Sequence, residues 1–92
     1  MIDSFRHRGL HKFYATGSKA GIRPDHADRL RLILGRLGAA TDPKDMDLSG
    51  LRLHPLKGAL KGRWSVTVSG NWRFTIAFTG KNAIQVDYED YH

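Results

Sequence analysis

The chain has no cysteine among its 92 residues. That excludes a disulfide framework and any thiolate zinc site. No apolar run approaches the ~18 residues that a membrane span needs. The opening "MIDSFRHRG" lacks the apolar stretch of a secretory signal. A soluble, cytoplasmic protein is expected, with no membrane partner. A further absence is positional: there is not one carboxylate between Asp47 and Asp87.

What fills that acid-free stretch is basic: Arg52, Lys57, Lys61, Arg63, Arg73 and Lys81, with His54 among them. The N-terminal half mixes its signs, setting Asp3, Asp25 and Asp28 among arginines and lysines. The net charge is +6. A field of one sign favours polyanions, and RNA or DNA is the commonest polyanion in the cytosol. General solubility is the plainer reading of the same charge. A chain of this length forms one domain, residues 1–92, with room for a single core and none for a deep substrate cavity. Any site should lie on an open face.

Hydrophobic spacing divides the chain in two. "GLHKFYATG" puts Leu10, Phe13 and Tyr14 on one helical face, with Gly17 as the stop. In "GIRPDHADRLRLILGRLGAAT", Pro24 suits a first helical turn, and Asp25 and Asp28 favour its positive end. Ala27, Leu30, Ile33, Leu34 and Leu37 form an apolar stripe that ends at Gly38. Gly35 costs about 1 kcal/mol against alanine inside a helix, which points to close packing there. After "TDPKDMDLSG" the period changes from 3.6 to 2. "LRLHPL" reads as a strand that Pro55 ends or confines to an edge. "RWSVTV", "WRFTIAF" and "AIQVDYE" alternate as a meander. The fold class is α+β: two N-terminal helices on one face of a small antiparallel sheet, with a short strand over "IDSF".

The pattern also predicts register. A three-residue loop, Ser69–Gly70–Asn71, pairs Val68 with Trp72 and Val66 with Phe74, with a left-handed residue at Gly70 or Asn71. Continued, it pairs Phe78 with Ile84, Ile76 with Val86 and Phe74 with Tyr88. Arg73 then lies between Thr67 and Glu89 on the polar face.

Candidate chemistry gathers at that face. His54 closes one strand, Lys57 follows it, Arg73 points out of the meander, and "YEDYH" follows the last strand. RNA is cut when its own 2′-hydroxyl attacks the adjacent phosphate. The hydroxyl needs a base, the 5′-oxygen an acid, and the phosphorane cations. Imidazole titrates near neutral pH, and a carboxylate beside it raises its basicity. A phenol can bond a phosphate or stack on a base. Each residue has a plainer reading. His54 before Pro55 suits a surface or cap position, Arg73 and Lys57 suit solvated cations, and "YEDYH" suits a loose tail. Trp64 and Trp72 fit the core. His7, His11 and His26 fall on helices and receive no role. His54, Asp90 and His92 would make a two-histidine, one-carboxylate set, but no short-spaced ligand pair supports a metal, and no metal or cofactor is expected.

"LRLHPLKG", "GRWSVTV", "NWRFTIAF" and "YEDYH", in that order, resemble the signature of HigB-type toxins. These form the host-inhibition-of-growth, or plasmid-maintenance killer, branch of the RelE/ParE toxin superfamily. The resemblance covers essentially the whole chain and is densest over 53–58 and 87–92. It implies a toxin of a type II toxin–antitoxin pair that enters the ribosomal A site and cleaves mRNA there without a metal. By position it implies His54, Asp90, Tyr91 and His92 as the catalytic group, with His92 as base oriented by Asp90. It implies Lys57 and Arg73 at the scissile phosphate. Lys61 and Arg63 would be further RNA-binding cations, since Ala59–Arg63 is more basic than the loop of relatives. The implied partners are mRNA and rRNA on the 70S ribosome, and a helix-turn-helix antitoxin through which the pair binds operator DNA. The free toxin would be monomeric. A ParE-like inhibitor of DNA gyrase, or a non-catalytic basic nucleic-acid-binding module, are the alternatives on the same fold.

Overall fold

Apolar spacing governs the helical half. The computed structural model describes residues 1–91. In it α1 spans Arg8–Thr16 and α2 spans Ala27–Ala39. Leu10 and Phe13 form the buried face of α1, while Tyr14, expected beside them, is half exposed. His7 Nδ1 accepts from the Leu10 N–H at one end of α1. At the other end Gly17 takes φ 79°, a left-handed cap that costs glycine little. A 3₁₀ turn, Pro24–His26, leads into α2. All five residues of the expected stripe are buried. The helix runs past the expected stop at Gly38 to Ala39.

Close backbone packing lies elsewhere than expected. A Cβ on Gly35 would meet nothing within 4 Å. One on Gly9 would lie 2.4 Å from the Gly21 carbonyl oxygen. The start of α1 and the loop before Pro24 therefore touch backbone to backbone, and only glycine permits it.

The sheet has four antiparallel strands in sequence order: β1 (His54–Pro55), β2 (Trp64–Ser69), β3 (Trp72–Thr79) and β4 (Asn82–Asp90). β1 is shorter than "LRLHPL" suggested because Arg52 adopts φ 53°, which breaks the extended run. Pro55 lies on the edge strand, where its missing N–H costs no ladder bond. The expected N-terminal strand is reduced to two isolated parallel bridges, Ile2 with Ala83 and Phe5 with Val86, on the outer edge of β4.

The register holds through the middle of the sheet. Val66 pairs with Phe74, Phe74 with Tyr88, and Arg73 lies between Thr67 and Glu89. Two bulges break it at the ends. Ser69, not Val68, pairs with Trp72, so the turn has two residues, Gly70 and Asn71, and Val68 is the extra residue in β2. Gly70 carries the left-handed conformation, φ 53°. Against β4 the register slips between Thr75 and Ala77 of β3, so the expected pair of Ile76 with Val86 is lost and Phe78 pairs with Ala83 instead of Ile84. Gln85 absorbs that slip at φ 51°. Its N–H donates to Ser4 Oγ at 2.8 Å, and its carbonyl accepts from Arg63 Nη2 at 2.7 Å. Both bulges keep apolar residues in phase on the buried face, where one core joins Leu10, Phe13, Leu30, Ile33 and Leu37 to Val66, Phe74, Ile76, Val86 and Tyr88. Among the described residues no helix is long and apolar enough to cross a membrane.

Candidate active site on the polar face of the sheet

Alternation turns Ser65, Thr67, Arg73, Thr75, Asp87 and Glu89 away from the helices. His54 pairs with Ser65, so β1 brings the imidazole to the same face. There His54, Ser65, Thr67, Trp72, Arg73 and Tyr91 share the walls of an open cavity of about 280 Å³.

His54 is exposed, and its Nδ1 lies 3.0 Å from the Arg52 carbonyl oxygen. A carbonyl only accepts, so Nδ1 carries the proton of the neutral ring and Nε2 is left as its basic nitrogen. The left-handed turn at Arg52 aims that carbonyl. The Arg52 segment is in turn held to β2 by the Thr67 N–H, which donates to the Leu51 carbonyl at 2.7 Å.

Arg73 is mostly buried and doubly held. Its Nε and Nη2 lie 2.9 and 2.8 Å from Glu89 Oε1, and its guanidinium sits 4.1 Å from the centre of the Tyr91 ring. The Tyr91 N–H donates to the Asn71 carbonyl at 2.7 Å, which carries backbone pairing one residue past β4. The phenol ring itself stays largely exposed. A fixed cation, a stacked phenol and an imidazole of defined tautomer thus border one cavity.

The remaining candidates are placed differently. Asp90 pairs with Trp72 and alternates with Tyr91, so it belongs to the Tyr88 side of the strand. Its charge helps hold the Arg23 guanidinium above its ordinary value, behind the larger effects of the Asp25 hydrogen bond and charge. Lys57 and Lys61 are exposed at either end of a 3₁₀ turn, Gly58–Leu60, outside the cavity walls. Arg63 is no surface cation: it is 7% exposed. Its Nη2 donates to Thr75 Oγ1 and to the Gln85 carbonyl, both at 2.7 Å. Burial lowers its pKa, the Arg6 charge adds to that, and Asp87 and Glu89 oppose it. His92 lies outside the described residues.

Over residues 3–92 the chain matches the model of a RelE-like toxin family, HigB of type II toxin–antitoxin systems. The chain belongs to that family. The relative named Endoribonuclease HigB, from Proteus vulgaris, is 39% identical over 92 residues, all of both chains. Among solved structures, a variant of YafQ from E. coli aligns with TM-score 0.59 and 16% identity, over 97% of this chain and 94% of the other. YafQ from E. coli strain BL21(DE3) aligns with TM-score 0.53 and 15% identity over the same shares. These two likenesses show the fold. Membership in a type II family implies an antitoxin as partner.

In this HigB-like domain two groups that receive no site role from the sequence have defined places, one buried behind the sheet and one on the cavity. His26 is 4% exposed and meets the Tyr88 hydroxyl through Nδ1. The signal was present: His26 falls in helical phase with Leu30, Ile33 and Leu37. Asn71 also lines the cavity, and was considered only as a turn residue.

Proposed function

We propose that the protein is an endoribonuclease that cuts messenger RNA in the A site of the ribosome, using the RNA's own 2′-hydroxyl as nucleophile. The supporting observation is the convergence of His54, Arg73 and Tyr91 on one open cavity of the polar face, in a chain 39% identical to a HigB endoribonuclease along its whole length. One imidazole takes the 2′-proton and another group returns a proton to the departing 5′-oxygen. His54, with Nδ1–H engaged by Arg52, offers Nε2 for such a transfer. His92 is its counterpart, with Asp90 acting on it through charge. Arg73 meets the negative charge that builds on the phosphorane, and its ion pair with Glu89 holds the guanidinium ready before substrate arrives. Tyr91 supports a base or the ribose on its exposed ring. Lys57 and Lys61 give the phosphate backbone a looser, salt-sensitive hold. An open site on a small domain suits a substrate whose enclosure the ribosome completes. The antitoxin would be a helix-turn-helix protein that carries the pair to operator DNA, and the free toxin would be monomeric.

Primer extension on a translated message, with and without 70S ribosomes, tests this reading. Wild-type protein should produce cuts inside the reading frame only when ribosomes are present. His54→Ala, Arg73→Ala and His92→Ala should each remove most of them while leaving the melting curve cooperative. Intact transcripts with ribosomes present, together with inhibited supercoiling by gyrase, would overturn it in favour of a gyrase poison.

A further inference from the structure

One buried polar contact ties the site end of β4 to the helical layer. Tyr88 is 3% exposed and His26 4%, and the phenol meets His26 Nδ1 across 62 residues of sequence. Burial raises the Tyr88 phenol above its ordinary value, while a backbone hydrogen bond from Arg23 and the Arg23 charge pull it down less strongly. The neutral phenol and the imidazole therefore share one hydrogen bond, whose donor is set by the His26 tautomer.

Neither group enters the chemistry proposed above, but Trp72 connects both to it. The indole lies tilted against the Tyr88 ring with centroids 4.7 Å apart, and meets the His26 ring edge-on at 5.4 Å. The residue also belongs to the run Gly70–Arg73 that borders the cavity shared with His54 and Tyr91 on the other face of the sheet. It pairs with Asp90 across the sheet, and Arg23 lies 6.0 Å from its ring centre on the helical side. Two aromatic rings without polar atoms would fill this space at no desolvation cost. A buried hydrogen bond contributes only about 1 kcal/mol net, but it fixes one relative orientation of the groups it joins.

We propose that the His26–Tyr88 hydrogen bond is a positioning device for the reaction centre. It fixes the two rings against which Trp72 rests, and so sets both the start of β3 that borders the cavity and the exit of β4 that presents Tyr91. The inference rests on the ribonuclease reading, and both residues act through Trp72 without touching RNA.

Tyr88→Phe deletes the hydroxyl and keeps the ring. In single-turnover cleavage of ribosome-bound message, the rate at saturating toxin should fall roughly tenfold, the order of loss that small misplacements cause. The toxin concentration giving half that rate should stay unchanged. In a Trp64→Phe background Trp72 is the remaining indole, since the chain has two tryptophans, and its emission should shift on adding Tyr88→Phe. His26→Asn sets an amide near the place of Nδ1 and should restore most of the rate that His26→Leu loses. That pair carries the same comparison should Tyr88→Phe fail to fold. If Tyr88→Phe lowers the melting temperature but leaves the saturating rate and Trp72 emission at wild-type values, the pair is packing alone and the proposal fails. If wild type does not cut with ribosomes present, the ribonuclease reading fails and this inference with it. Equal cutting by wild type and Tyr88→Phe sinks only the positioning role.

Discussion

The same substitution, glycine to alanine, should move stability in opposite directions at two helical positions. At Gly35 in α2 an added methyl meets nothing within 4 Å. It gains about 1 kcal/mol of helix propensity at no steric cost. For a domain of this size 1 kcal/mol corresponds to roughly 4–8 °C, so Gly35→Ala should melt higher by about that much. At Gly9 the methyl would lie 2.4 Å from the Gly21 oxygen and 2.6 Å from its Cα, both backbone atoms that no rotamer change can move. The start of α1 must shift by about an ångström to reach ordinary contact, and overpacking of this kind costs roughly 1–3 kcal/mol. Gly9 is the second residue of α1, where propensity offsets less than in a helix interior. A net loss of about 2 kcal/mol, or roughly 10 °C, is expected. Differential scanning calorimetry of wild type and the two variants at one concentration measures both shifts. Shifts of the same sign would refute the argument that the Gly9–Gly21 contact, and not glycine as such, governs the outcome.

Arg63→Ala should lower stability by about 1–3 kcal/mol in chemical denaturation, because it leaves the buried Thr75 Oγ1 without its donor and frees the partly buried Gln85 carbonyl. Lys61→Ala should leave stability within about 0.5 kcal/mol, as exposed substitutions do, and instead flatten the salt dependence of RNA binding. The raised Tyr88 phenol gives an alkaline signature. The unfolded chain loses this proton near pH 10, before the folded one does, so the contribution is full below that pH and fades above it. Between the ordinary and the raised value wild type should lose up to about 1.4 kcal/mol per pH unit more than Tyr88→Phe, measured by urea melts at pH 8 and above 10.

The fold was legible where one periodicity ran unbroken. The stripe from Ala27 to Leu37 and the pairings of Phe74 with Val66 and Tyr88 follow from spacing alone. The bulges were not legible. Val68 is apolar in either register, and Gln85 carries no glycine to announce a left-handed backbone. Alternation placed Arg73 on the polar face, where His54 and Tyr91 share its cavity, but Lys57 and Asp90, expected in the same group, are not among its walls. It could not say that Arg63, in phase with Ser65 and Thr67, would turn inward to brace the Gln85 bulge, because charge on a strand reads as exposure. Glycine in a helix reads as close packing, and at Gly35 that inference failed because the contact belongs to the loop glycine at 21. His26 receives no role from the sequence because a histidine on a helix has many uses, and only the position of Tyr88 selects one of them.

The bridges from Ile2 and Phe5 to the far rail of β4 join segments about eighty positions apart. During synthesis Ile2 and Phe5 must therefore wait for Ala83 and Val86 before that border can close, and loops this long slow assembly. A nascent chain stalled before Ala83 would leave Ile2 and Phe5 without the strand they lie against.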